Sequence, residues 1–195
     1  MDEAEGRSAV VLARSAVDAE TDRGKIDTSM IPASFEEKRG VFVTLKTYPG
    51  GELRGCIGFP EPVYPLGEAI IQAAQYACHD PRFNDLKTEE TDAVTVEVSV
   101  LTVPQLMTVE AENRPQEVEI GKDGLIVERG RYRGLLLPQV AVEWKWNSEE
   151  FLTHACFKAG LKSNMWKSNE TRVFKFQAKI FSEVSPRGEI RGYEE

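Results

Sequence analysis

Gly40-Val41-Phe42-Val43-Thr44-Leu45-Lys46-Thr47-Tyr48, then Pro49-Gly50-Gly51-Glu52, then Leu53-Arg54-Gly55-Cys56-Ile57-Gly58 read as strand, turn and strand. The leading segment is dense in β-branched and aromatic side chains, which fit a pleated, half-buried surface. Proline presets φ in the turn and glycine permits φ > 0 there. The chain returns on itself, and the predicted hairpin runs from Gly40 to Phe59. Gly55 and Gly58 interrupt the returning strand. Glycine weakens a strand, so it signals a bulge or the close approach of another backbone. Cys56 stands between the two glycines. As a free cysteine, it belongs to one of the most buried residue types and reads as a packing residue in a bent strand. As a functional thiol, it would sit among amide N–H groups free to face a ligand, with Arg54 favouring the thiolate. Side chains alternate along a strand, so residues 54 and 56 point to opposite faces unless a bulge intervenes.

Outward from the hairpin, residues 4–22 have the spacing of a first helix, with Val10, Ala13 and Val17 on one side. A polar linker, Asp22 to Ser34, joins it to the hairpin. Pro60, Pro62 and Pro65 form a stiff exit loop, and a helix is predicted over Leu66–Cys78. His79-Asp80-Pro81 ends it, since a residue before proline is pushed out of the α region. His79 reads as a capping residue whose charged form the helix dipole favours, and Asp80 as a turn-former. Val94, Val96, Val98 and Val100 alternate with Thr95, Glu97 and Ser99, a strand with one buried face. Glu97 is either on its solvent face or a base lining a cleft.

The second half opens with an acidic, loop-rich segment, 105–116. Residues 118–137 are predicted to form a three-stranded meander. Trp144 and Trp146 read as core or lobe-interface packing. Asn147 with Glu150 is a capping-box start to a helix that Gly160 stops. His154 and Cys156 on that helix are two residues apart and do not share a face, so they form no dyad by themselves. Either residue could still meet Cys56 from another element. Residues 174–180 alternate as one final strand, and the tail from Pro186 is predicted to fray.

The chain has 195 residues, enough for one domain or two small lobes with a real core. No apolar run approaches the roughly 18 residues of a membrane span. An acidic N-terminus is unlike a secretory leader. Three cysteines, an odd number, make no disulfide framework. A cytoplasmic protein with reduced thiols is therefore expected. The net charge of −8 argues against nucleic-acid or translation-related binding, which relies on clustered Lys and Arg. Cys56, Cys78, His79, His154 and Cys156 include usable zinc ligands, but their spacing follows no standard zinc pattern. No metal site and no cofactor is assigned.

Leu53 to Gly58 resembles the signature hexapeptide of the AMMECR domain family, named after the chromosomal region of the Alport syndrome contiguous-gene disorder. Four further blocks resemble that family in the same order: Ala77–Phe83, Val96–Leu101, Leu135–Val140, and Glu143-Trp144 through Phe151–Leu161. The resemblance spans nearly the whole chain as a single AMMECR-like domain, 1–195. It implies an α+β fold of antiparallel-rich sheets and packed helices, in two unequal lobes with the hexapeptide near the cleft between them. It also implies partners, because members are fused to or encoded near a Memo-type domain and a radical-S-adenosylmethionine (radical-SAM) protein. It implies no particular reaction, and whether the chain is an enzyme stays open.

Two functions follow as leading expectations, with nucleic-acid or translation-related binding a weaker third. One is a thiol-dependent enzyme or ligand-binding protein. There Cys56 would be nucleophile or acceptor, His79 or His154 the general base, and Arg54, Gly55, Gly58 and Glu97 the ligand-binding residues. The other is a non-catalytic interaction module in which Cys56 only packs.

Overall fold

In the computed structural model, which describes residues 1–29 and 31–193, the hairpin forms. The strands are β1 (Val41–Thr47), β2 (Leu53–Phe59), β3 (Val94–Leu101), β4 (Gln105–Leu106), β5 (Gly124–Arg129), β6 (Tyr132–Leu136), β7 (Arg172–Phe176), β8 (Ala178–Glu183) and β9 (Ile190–Tyr193). The helices are α1 (Glu3–Glu20), α2 (Leu66–Cys78), α3 (Pro138–Glu143) and α4 (Ser148–Lys158). The fold is α+β, as expected, with strands in two sheets. The chain divides into two units, Met1–Leu101 with the segment that begins at Lys179, and Thr102–Ala178.

The first unit holds the sheet β2-β1-β3-β8-β9. β1 is antiparallel to both neighbours, with Thr44 opposite Cys56 on one side and Glu97 on the other. The β1–β2 register slips at one point. Leu45 pairs with Gly55 and Lys46 with Leu53, so Arg54 is the extra residue of a bulge. Val43, Leu45, Val96 and Val98 are fully buried in one core with Ala13, Ala16 and Val17 of α1 and Ile70, Ala73 and Ala77 of α2. Each fully buried Val or Leu contributes about 1.5–3 kcal/mol. The small alanine faces let the helices lie close to each other. Asp2 and Glu5 close a capping box at the start of α1.

Two predictions for this unit are corrected. The tail does not fray within the described residues. β9 pairs with β8, and Arg187 bridges Asp18 and Asp92. Met30 of the predicted linker, and Glu194 and Glu195 of the tail, lie outside the described residues. The strand expected over 174–180 is two strands in different sheets. The break falls at Gln177, whose N–H donates to Thr102 Oγ1 and whose C=O accepts from the Thr102 N–H.

The second unit holds the sheet β4-β7-β5-β6. Phe151, Leu152, Ala155 and Cys156 of α4 pack with Leu125, Val127 and Val173. The predicted capping box at Asn147 and Glu150 starts α4, and Gly160 follows its end at φ +74. The three-stranded meander is not formed, because Val118–Ile120 is no strand. The Glu119 C=O accepts from the N–H groups of Lys122 and Asp123, and Asp123 Oδ2 accepts from the Glu119 N–H, so this stretch closes on itself. β5 and β6 form a two-stranded hairpin, and β7 pairs with β5 on its other side. The acidic segment carries β4 and a 3-10 turn, Ala111–Glu117. That turn supplies Arg114, a buried guanidinium with no carboxylate partner among the described residues. It donates to the carbonyls of Trp166, Ser168 and Thr171.

Candidate functional site

Register sets the first geometry. Cys56, Thr44 and Glu97 lie directly opposite one another on β2, β1 and β3, so they form one row on one face of the sheet. The Thr44 hydroxyl is 3.3 Å from Cys56 Sγ. Lys46, one step along the same face of β1, donates to Glu97 Oε2 at 2.7 Å. Glu97 is therefore an ion-paired, largely buried residue. Gly55 faces the other way, towards α2. A Cβ there would lie 2.3 Å from the Ala77 carbonyl oxygen, and one at Gly58 would lie 2.3 Å from the Val41 carbonyl oxygen. Both glycines mark close backbone approach, as the sequence suggests, and the bulge falls at Arg54.

β2 is an edge strand, and an open edge leaves main-chain groups unpaired. At Cys56 the loop after α2 fills both. The Cys56 N–H donates to Asp80 Oδ2 at 2.8 Å, and Arg82 Nη2 donates to the Cys56 C=O at 3.2 Å. Asp80 also accepts from the N–H, Nε and Nη2 of Arg82. Its side chain is 1% exposed. The Arg82 guanidinium, aided by the N–H groups of Cys56 and Arg82, holds its carboxyl far below the usual carboxylate range, against a burial that raises it. Asp80 does make the predicted turn, by accepting from the Arg82 N–H. What local sequence could not reveal is its reach across 24 positions to Cys56.

Arg54 turns to Glu90, which accepts from its Nε at 3.0 Å and its Nη2 at 3.1 Å. Its guanidinium carbon lies 5.9 Å from the centroid of Phe83, and that of Arg82 lies 5.8 Å away. Phe83 and Glu90 were not singled out by the sequence reading, nor were Thr44 and Arg82. The signal for Arg82 and Phe83 lies in the block Ala77–Phe83, which the sequence marks as a helix stop and as a block of family resemblance, without roles for these two residues.

Each histidine finds its partners within its own unit. His79 caps α2, and both ring nitrogens are engaged, Nε2 with Glu20 Oε1 and Nδ1 with Asp85 Oδ1, each at 3.0 Å. Hydrogen bonds donated to Asp85 first and Glu20 second raise its pKa. His154 belongs to the second unit. Its ring stacks on Trp146 at 3.7 Å and 7°, and Trp146 stacks on Trp144 at 6.0 Å. Trp144 is 67% exposed, which corrects its expected core packing, while Trp146 is half-buried against the core of this unit, as expected.

All three cysteines are free. Cys78 donates to the Ala74 carbonyl inside α2, and burial, then Glu20, pushes its thiol up to about 12. Burial also pushes the Cys156 thiol up. Only Cys56 is partly exposed. Among the described residues, no group of three or more His, Cys, Asp and Glu side chains is placed to hold a metal ion. No described helix is long and apolar enough to cross a membrane.

The AMMECR1 family model matches residues 10–181 and so runs through both units. Protein MJ0810 of Methanocaldococcus jannaschii is 51% identical over 191 residues, covering 95% of this chain and 94% of that protein. Protein PH0010 of Pyrococcus horikoshii is 52% identical over 195 residues, covering 95% of this chain and 93% of that protein. The crystal structure of Protein PH0010 superposes with a TM-score of 0.79 at 50% identity, covering 100% of this chain and 98% of that one.

Proposed function

The chain belongs to the AMMECR1 family, and from that premise we propose that it works through Cys56, as a thiol-dependent enzyme or a thiol-centred ligand-binding protein. One observation carries the reading. Of three free cysteines only Cys56 is partly exposed, and its main chain is held on both polar groups by Asp80 and Arg82. A clamp on the backbone fixes where the sulfur sits without consuming the sulfur. Preorganisation of this kind is what a reacting or ligand-contacting atom requires.

In this reading Cys56 is nucleophile or acceptor, and the Thr44 hydroxyl is its proton partner. Glu97 and Lys46 supply paired charge beside it. Gly55 and Gly58 let neighbouring backbone close in, and Arg54 serves an anionic group of the ligand. His79 and His154 position their own surroundings rather than acting as base. The protein operates in the cytoplasm, where thiols stay reduced.

The test is the alkylation rate of each cysteine against pH, read by peptide mass spectrometry on folded protein. Cys56 is expected to react first in the folded protein, with Cys78 and Cys156 waiting for unfolding. A Cys56 that stays inert until the protein unfolds makes the hexapeptide a structural bend and ends this reading.

A second reading, an interaction module working with Memo-type or radical-SAM partners, draws on the exposed Trp144 and Phe157, 67% and 53% accessible. Trp144 and Phe157 are linked through Trp146 and His154 by ring contacts, and a contiguous aromatic surface of this kind suits a protein contact. Trp144→Ala should then abolish co-purification of such a partner while leaving the alkylation order intact. Undiminished co-purification would dismiss Trp144 as the contact.

A further inference from the structure

The bulge of β2 and the loop after α2 border an open depression of about 810 Å3. Arg54, Arg82, Phe83, Asp85, Lys87 and Glu90 line it. Phe83 is 36% exposed, with the two guanidinium groups close to its ring.

Its charges are unequal in what they have left to give. Glu90 is taken by Arg54, and Asp85 by His79. Asp80, behind the wall, is taken by Arg82. Each fork of paired bonds uses Nε and Nη2 and sets the plane of its guanidinium. Among the described residues, Nη1 of Arg54, Nη1 of Arg82 and the ammonium of Lys87 have no partner. The unspent valence of the depression is therefore three cationic donors beside an exposed phenyl ring, in a protein of net charge −8. A cation would find Glu90 paired with Arg54 and one oxygen of Asp85 held by His79, while an anion would find two guanidinium groups already oriented by their carboxylates and the Lys87 ammonium beside them.

We propose that this depression binds a phosphate monoester carried on a flat ring. Three cationic donors match three terminal oxygens, where a carboxylate offers two, and a donor to a charged acceptor makes the stronger hydrogen bond. The ring of the ligand lies against Phe83. The proposal deepens the ligand-binding reading of Arg54 and rests on it, but it does not depend on the reactivity of Cys56.

The experiment is calorimetric titration of the full chain at low salt with phenyl phosphate, inorganic phosphate and phenol. Phenyl phosphate is expected to saturate and to bind about tenfold tighter than either fragment, since ring and anion are both used. Phe83→Ala should bring phenyl phosphate down to the level of inorganic phosphate. Lys87→Gln, at an exposed position that leaves the fold untouched, should weaken both phosphates by about threefold to tenfold. Absence of saturable heat up to about 10 mM phenyl phosphate overturns the site. So does binding that is equal in wild type and in the Phe83→Ala, Lys87→Gln double variant. The two ideas fail separately. A silent titration with a reactive Cys56 removes the phosphate site alone, and saturable binding with an inert Cys56 removes the thiol reading alone.

Discussion

At Cys56 and at Cys156 an arginine from a distant part of the chain holds main-chain carbonyls near a thiol, yet the two surroundings differ in kind. Arg82 grips the carbonyl of Cys56 itself and is tied to the buried carboxylate of Asp80, at the edge of a sheet. Arg114 grips the carbonyls of Trp166, Ser168 and Thr171 and, among the described residues, has no carboxylate partner and leaves its buried Nε without one. Burial lowers the Arg114 pKa and raises that of Cys156. One arrangement presents a sulfur and the other seals it. The difference teaches that a thiol is exposed or silenced by what covers its sulfur, while the strength of the nearby clamp decides only how well its backbone is placed.

The comparison breaks most easily at Asp80. Asp80→Ala leaves the Cys56 N–H without an acceptor and Arg82 without its carboxylate. It should cost about 2–4 kcal/mol in urea denaturation. The alkylation rate of Cys56 should change while that of Cys156 does not. Arg114→Met is the matching change in the second unit. Several carbonyls lose their donor, but a poorly compensated charge leaves the interior, so the cost should be smaller, about 1–3 kcal/mol. Cys156 should then react before global unfolding.

Truncating the sulfurs sharpens the contrast. Cys156→Ala removes a fully buried group and should cost about 1–2 kcal/mol, whereas Cys56→Ser should stay within about 0.5 kcal/mol. Equal costs at both sites would place Cys56 in the core. The smallest effect belongs to His79. Its folded-state pKa is raised, so its contribution is complete below pH about 6.5 and is lost as pH rises through the folded-state value. The side chain is 45% exposed, so screening holds this to under about 1 kcal/mol. Wild type should lose slightly more stability than His79→Gln between about pH 5.5 and pH 8.5, measured by urea midpoints.

The sequence reading of the candidate site was uneven for a physical reason. Cys56, the two glycines and the possibility of a bulge were legible because glycine inside a strand has few causes. Thr44 and Glu97 became neighbours of Cys56 only through strand register, which depends on pairing partners far along the chain. Asp80 was read by its short-range habit, the turn before Arg82, and its second bond went unseen. Trp144 and Trp146 read as core or lobe-interface residues on the strength of their area; Trp146 does pack against a core, but Trp144 stays exposed, and hydrophobic composition does not say which aromatic residue stays outside.

By itself the sequence determined the family, the β1–β2 hairpin, α2, and α4 with its capping box. Each of these rests on residues a few positions apart, whose propensities and hydrogen bonds close locally. Tertiary structure alone decided the rest. A period of two runs unbroken from Phe174 to Ile180, and nothing in it says that the chain leaves one sheet for another at Gln177. Nor does any local pattern say that the loop after α2 will complete the edge of β2, or that two arginines will keep unspent donors around Phe83. Those outcomes depend on contacts between distant segments, and they exist only once each unit has folded around its own core.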